Sequence, residues 1–367
     1  MPLKKNASLE NEDTQLLTVF QSHFSDHLNL ARIRLICLFI SALCKVKSVN
    51  FSKLSAGFDT TASGSSSYRR IQRFFEQVNF PVEFVAKFIF NLLPERNSLV
   101  LVIDRTNWQF GTKNINILML GVSYKNMAFP LLFKMMDKKG NSNTAERIAL
   151  VQNFIDWFGK DCIDCLLADR EFVGKDWLHF LNSHKIRYHI RIRNNFKIFC
   201  PKKQTEVTAW RLFHNLKIGE IRHYNRIMKM HGEYCYIAAI KTVTDTKVDF
   251  CIIVSFNKPE ESVQYYAKRW QIETLFKAFK SSGFNLEDTH LTNLDRIEKL
   301  VSLVMIAFAW CYKIGDYIDQ NIKPIQIKKH GRRAISVFKL GLDYLSKCLL
   351  SRTNMLKINL IQFLSCT

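Results

Sequence analysis

The chain has 367 residues, 47% of them hydrophobic, so it can bury a sizeable core and form two or three domains. Lys and Arg outnumber Asp and Glu by 53 to 32, which gives a formal net charge of +21. This charge favours a polyanionic partner such as nucleic acid, although other basic proteins share it. The apolar runs are too short or too interrupted for a membrane span, the N-terminus lacks an export signal, and the scattered cysteines suit a reducing cytoplasm.

Residues 1–98 are predicted to be a helical region that binds DNA. A Ser-rich loop leads directly into a short segment with three arginines and an apolar back, which contains Arg69, Arg70 and Arg73. A turn followed by such a helix resembles the second half of a helix-turn-helix, whose recognition helix contacts DNA. An ordinary amphipathic surface helix fits the same pattern, and the sequence leaves both interpretations open.

The pattern changes at residue 99. A short apolar run over 99–104 predicts a buried strand that ends at Asp104, and two more strands follow. A helix that begins after Asn143 precedes a fourth strand, which ends at Asp169. A further helix and the strand over 187–193 complete the order. Three strands, helix, strand, helix and strand is the order of a ribonuclease-H-like core, so we predict an α/β fold.

The rest of the chain is assigned by composition. Residues 195–256 contain strand-like segments separated by turn signals, and we predict a mostly β insertion there. The catalytic core is therefore expected to consist of residues 99–194 and 257–292. Residues 293–367 are predicted to form a helical C-terminal region.

One predicted helix, which follows Pro259, carries an unusual row of side chains. At about 100° per residue, five of them fall within an arc of roughly 80°; these are Tyr266, Arg269, Glu273, Lys277 and Lys280. A solvated helix face with an i,i+4 pair between Glu273 and Lys277 is the simpler explanation. That explanation gives no reason for Tyr266 and Arg269 in the same row.

The spacing Tyr266-x2-Arg269-x3-Glu273-x6-Lys280 resembles the Y-R-E-K signature of bacterial DDE transposases of the insertion sequence 4 family. The segments IDRTNWQFG (103–111) and LLADREFVGKDW (166–177) resemble the segments around that family's first and second aspartates. The resemblance covers residues 100 to 290. It implies a DNA transposase of an insertion sequence, which cuts transposon ends and joins them to target DNA.

The resemblance also implies residue roles. Asp104, Asp169 and Glu273 would be catalytic and would hold two Mg²⁺ ions, for which Mn²⁺ can substitute. Tyr266, Arg269 and Lys280 would bind DNA phosphates, and helical geometry adds Lys277 to this set. In some members of the family an aromatic residue of the β insertion stacks on a flipped base; Trp210 and Tyr234 are both candidates here.

The expected partner is double-stranded DNA, both transposon ends and target, bound by a homodimer in the bacterial cytoplasm. The sequence contains no GxxxxGK loop, so we expect no nucleotide cofactor. Two alternatives are kept. One is a ribonuclease-H-like nuclease that does not join strands, and the other is a domesticated transposase-derived protein that only binds DNA.

Overall fold

The structure is a computed structural model that describes residues 7–244, 247–329, 331–351 and 353–365. The chain divides into two compact units. One, the helical unit, comprises Met1–Pro94, Trp108–Ile115 and Phe276–Thr367, and the other, the sheet unit, comprises Glu95–Asn107 and Asn116–Leu275. Within the described ranges, no helix is both long and apolar enough to cross a membrane.

The helices and strands follow the predicted order closely. The α-helices are α1 (Ala7–Phe24), α2 (Leu30–Val46), α3 (Phe51–Ala56), α4 (Gly64–Gln77), α5 (Val82–Leu92), α6 (Thr144–Phe158), α7 (Lys175–Ser183), α8 (Ser262–Ala267), α9 (Gln271–Phe279), α10 (Leu294–Asn321) and α11 (Val337–Ser351). The strands are β1 (Leu99–Phe110), β2 (Lys113–Tyr124), β3 (Met127–Met136), β4 (Ile163–Ala168), β5 (Tyr188–Ile192), β6 (Lys197–Cys200), β7 (Thr205–Thr208), β8 (Ile221–Met230), β9 (Glu233–Thr244) and β10 (Lys247–Ser255).

The helical unit is built around α10. This helix is buried on every side over residues 300–312, as expected of a helix that is packed all round by others. It packs against α2, α5 and α11. The approach of α11 is so close that a Cβ at Gly341 would lie 1.8 Å from the carbonyl oxygen of Cys311, so only glycine fits there. The helices at the two ends of the chain therefore share one core.

The sheet unit contains the ribonuclease-H-like core. Its first five strands are arranged in the order β3-β2-β1-β4-β5. β1, β4 and β5 are parallel neighbours, and β2 pairs antiparallel with β3. The parallel neighbours need crossover connections, and α6 and α7 lie in the segments that precede β4 and β5. The α-helix α6 begins with the predicted capping box, in which Asn143 and Glu146 bind each other's backbone N–H groups.

The strands of residues 195–256 extend the same sheet. β10 pairs antiparallel with β5, and the order continues β10-β9-β8-β6-β7 to make ten strands. The segment is thus β-rich, and it adds strands to the edge of the core where β5 would otherwise be unpaired. That edge pairing satisfies backbone groups that an open edge would expose.

Candidate active site

The two aspartates follow directly from the pairing of β1 with β4. The last paired residues of these parallel strands are Ile103 and Ala168, so Asp104 and Asp169 occupy the next positions on both strands. Neighbouring strands lie about 4.8 Å apart, which brings the two carboxylate-bearing residues side by side. The sequence predicted that the first strand ends at Asp104, and this boundary is wrong. β1 continues to Phe110 because β2 is its neighbour on the other side.

Arg269 connects Asp104 to the third carboxylate. One guanidinium nitrogen, Nη1, donates to Oδ2 of Asp104 at 3.1 Å, and Nη2 donates to Oε1 of Glu273 at 2.6 Å. Arg269 is only 7% exposed, and its pair with Asp104 is more shielded from water than its pair with Glu273, whose side chain is 35% exposed. Glu273 is therefore paired with Arg269 rather than with Lys277. One buried cation links two of the three carboxylates.

Tyr266 reaches the remaining carboxylate. Its hydroxyl donates to Oδ1 of Asp169 at 3.0 Å. Burial raises the pKa of Tyr266 above its usual value, so the phenol stays protonated and acts as a donor at neutral pH. The predicted single helix is divided here, because a 3-10 turn over Lys268–Trp270 separates α8 from α9. Tyr266 at the end of α8 faces Asp169, while Arg269 in the turn faces Asp104 and Glu273.

The environment of Asp104 disfavours its charge. Burial raises the pKa of Asp104 from 3.8 to about 6, and the neighbouring carboxylates of Glu171 and Asp169 act in the same direction. The backbone N–H of Arg105 and the Arg269 guanidinium lower this pKa but do not cancel the effect of burial. For Arg269, burial alone would lower the pKa, but Tyr266, Glu273 and Asp104 raise it, so the guanidinium remains charged. The site holds more negative charge than its own cation offsets.

Two further charged groups belong to this site. Glu171 lies 3.5 Å from Nε of Arg105, and its charge acts on Asp104. Arg191, on β5, is influenced by the charges of Asp169 and Asp249, and it donates to Asp249 at 3.0 Å. No sequence motif marks Arg191 as a site residue. The signal was available in the alternation of β5, since Ala168 pairs with Ile190 and Arg191 is therefore level with Asp169.

The other predicted DNA-binding residues lie in the helical unit. Lys277 is exposed on α9. Lys280 follows the end of α9, forms an ion pair with Glu287 at 2.8 Å, and lies over the ring of Trp108 at 5.5 Å. Arg69, Arg70 and Arg73 all lie on α4. The structure thus brings Tyr266, Arg269 and the three carboxylates together in the sheet unit, whereas Lys277, Lys280 and the three arginines belong to the helical unit.

Comparison with known proteins identifies the family. The transposase DDE domain family matches residues 96–310, which is more than half of the chain, and the chain belongs to this family. No curated protein gives a significant match. Among solved structures, the cryo-EM structure of a piggyBac transposase synaptic complex with hairpin DNA matches with 13% sequence identity and a TM-score of 0.42. That match covers 97% of this chain and 82% of the other. With so low an identity and TM-score, no conclusion about this protein is based on it.

Enzymes of the DDE family generally use divalent metal ions, and the donor set here fits such an ion. Asp104, Asp169 and Glu273 offer only carboxylate oxygens, which are the ligands that Mg²⁺ and Mn²⁺ prefer. In the described part of the chain, no three acidic, histidine or cysteine side chains converge into a ready metal site. Arg269 donates to one oxygen of Asp104 and to one oxygen of Glu273. A metal ion would compete with Arg269 for these oxygens.

The raised pKa of Asp104 predicts a stability difference. A carboxylate with a folded pKa near 6 and an ordinary value of 3.8 destabilises the fold increasingly as pH rises from 4 to 6. Above pH 6 the cost is constant, at about 3 kcal/mol. Asp104→Asn removes the charge, so it should raise the melting temperature at pH 7.5, and the gain should shrink towards pH 4.

Asp156→Asn on the exposed surface of α6 is the matched control and should show no such pH-dependent gain. If Asp104→Asn melted below the wild type at pH 7.5, the ion pair with Arg269 would outweigh the cost of burial.

Proposed function

We propose that this protein is the DNA transposase of an insertion sequence, and that it cuts transposon ends and joins them to target DNA. The observation that carries the proposal is the placement of Asp104 and Asp169 at adjacent positions on the parallel strands of a ribonuclease-H-like sheet, with Glu273 linked to Asp104 through Arg269. We assign the catalytic role to these three carboxylates. The Y-R-E-K spacing supports the finer assignment to the insertion sequence 4 family.

The residues divide the chemistry between them. When bound, two Mg²⁺ or Mn²⁺ ions would activate the attacking oxygen and stabilise the leaving oxygen. Asp104, Asp169 and Glu273 would supply the oxygens that hold these ions. The planar guanidinium of Arg269 is suited to grip a phosphate with two hydrogen bonds, and the phenol of Tyr266 can donate a third. Water would attack first, and the 3′-OH that it frees would attack the target DNA.

The partners follow from this chemistry. We propose double-stranded DNA as substrate, a homodimer on the DNA, no nucleotide cofactor and no membrane association, in the bacterial cytoplasm. A ribonuclease-H-like nuclease would share the carboxylates but would not join strands. A domesticated DNA-binding protein would not need them, and a carboxylate held at a raised pKa among like charges has a cost that such a protein would not have to carry.

The carboxylates provide the first test. With its own end DNA and Mg²⁺, the wild type should nick and then join strands, and Asp169→Asn or Glu273→Gln should reduce both rates by at least about a hundredfold. Gel analysis of labelled ends measures cleavage and joining separately. Asp161→Asn is the control, since this exposed aspartate precedes β4 at its opposite end.

The variants should still bind end DNA as the wild type does. Full activity in Asp169→Asn would show that the site is wrongly assigned. Cleavage by the wild type without joining would favour the nuclease, and binding without either would favour the domesticated protein.

The two ion pairs of Arg269 predict that DNA binding and metal binding are linked. Its guanidinium occupies oxygens of Asp104 and Glu273, and a DNA phosphate would offer it another partner. Removing it as Arg269→Gln should therefore tighten Mn²⁺ binding in the absence of DNA, on the order of tenfold. Adding duplex DNA should raise the Mn²⁺ affinity of the wild type and leave that of the variant nearly unchanged, as measured by electron paramagnetic resonance of free Mn²⁺.

Arg222→Gln removes the same charge from the sheet unit at an ion pair with Glu220, and it serves as the control. Equal Mn²⁺ affinities for Arg269→Gln and the wild type without DNA would contradict the competition. Circular dichroism should show that both variants keep the fold.

Trp210 and Tyr234, the two candidates for base stacking, lie near opposite ends of the strands of the sheet. The backbone N–H of Trp210 donates to the carbonyl of Asn194, which lies beyond the C-terminal end of β5. Asp169 lies beyond the C-terminal end of the parallel neighbour β4, so both residues are at the same end of the strands. Tyr234 lies beyond the end of the β9–β10 pairing at Ser255, level with the beginning of β5. Both rings are exposed, Trp210 at 41% and Tyr234 at 59%, so their positions along the strands distinguish them. We therefore assign base stacking to Trp210 rather than Tyr234.

Fluorescence of 2-aminopurine placed at the transposon end tests this assignment. The wild type should quench it on binding, Trp210→Ala should lose that quenching, and Tyr234→Ala should retain it. Loss of quenching in Tyr234→Ala but not in Trp210→Ala would assign base stacking to Tyr234, at the other end of the strands.

A further inference from the structure

A pocket of about 280 Å³ lies in the helical unit, between the start of α2 and one face of α4. Three arginines line it, Arg32 in the first turn of α2 and Arg70 and Arg73 on α4. Arg70 and Arg73 are three residues apart and so share a helix face. Arg69 is exposed and does not line the pocket. The three predicted arginines of α4 are thus not equivalent, and Arg32 is a new member of the group.

The pocket has an uncompensated positive charge. None of its lining residues is acidic, and Arg32, Arg70 and Arg73 have no carboxylate partner among the residues that the structure describes. On the same helix α4, Glu76 is instead paired with Arg296, at 3.0 Å. Three like charges around a small concavity repel one another, and a bound anion would relieve that repulsion. The chemistry selects a compact, multiply oxygenated anion.

We infer that this α2–α4 arginine pocket, formed by Arg32, Arg70 and Arg73, seats one backbone phosphate of duplex DNA. This assignment rests on the proposed function. It gives the arginines of α4 a contact with a DNA phosphate, whereas a helix-turn-helix would suggest that they read bases. The N-terminus of α2 is not the binding group, because the side chain of Asn29 already accepts from the backbone N–H of Arg32 at 3.1 Å. The guanidinium groups do the binding, and a phosphate contact carries no sequence information.

A salt titration of DNA binding tests the pocket without any catalysis. The full-length protein binds labelled duplexes in EDTA, and fluorescence anisotropy gives the affinity between low and moderate salt. Arg32→Gln and Arg73→Gln should each weaken binding, on the order of tenfold, and should lower the slope of log K against log salt by about 1. The loss should be equal for end DNA and for a scrambled duplex. Arg34→Gln, an exposed arginine of α2 outside the pocket, should bind like the wild type.

The double variant Arg32→Gln/Arg73→Gln separates one shared phosphate from two independent contacts. If both arginines hold the same phosphate, the double variant should lose about one unit of slope in total, and its affinity loss should be smaller than the product of the single losses. A loss of about two units, binding by Arg32→Gln equal to that of Arg34→Gln, or a loss confined to end DNA would each overturn the inference. The binding assay contains EDTA and does not depend on cleavage. A failure of cleavage in the separate Mg²⁺ assay would therefore refute the proposed function and leave the measured phosphate contact unaffected.

Discussion

The site depends on one buried cation, Arg269, between two carboxylates. Burial raises the pKa of Asp104 above its ordinary value, and the charges of Glu171 and Asp169 raise it further. Removing a charge from water costs several kcal/mol unless a partner with good geometry offsets it. Arg269 provides that partner for Asp104 and for Glu273 at once. Without it, the charges of Asp104 and Glu273 would have no partner that offsets their mutual repulsion.

The sequence predicted much of this arrangement, because its signals are local. The apolar run that ends at Asp104, the one that ends at Asp169, and the capping pair of Asn143 and Glu146 each depend only on neighbouring residues. Parallel order then follows from the alternation of strands with α6 and α7. Hence the α/β fold with its ribonuclease-H-like core is confirmed.

Non-local partners could not be predicted. The pairing of Glu273 with Arg269 rather than Lys277 depends on the 3-10 turn at Lys268–Trp270, which no local pattern indicated. The continuation of β1 beyond Asp104 depends on β2, and the place of Arg32 beside α4 depends on the packing of two helices distant in sequence. Strand register and helix crossing decide such contacts, and both are set by the whole core.

Arg269 and the arginines of the α2–α4 arginine pocket differ in their electrostatic surroundings. Arg269 is neutralised within the protein by Asp104 and Glu273, so DNA must compete with those carboxylates for it. The α2–α4 arginine pocket has no such partner among the described residues, so a phosphate seated there would not have to displace a carboxylate. Initial affinity should then come from the unpaired arginines, whereas Arg269 contributes only when a phosphate reaches the carboxylates. Under the proposed function, the two ion pairs of Arg269 would persist until a DNA phosphate competes for its guanidinium.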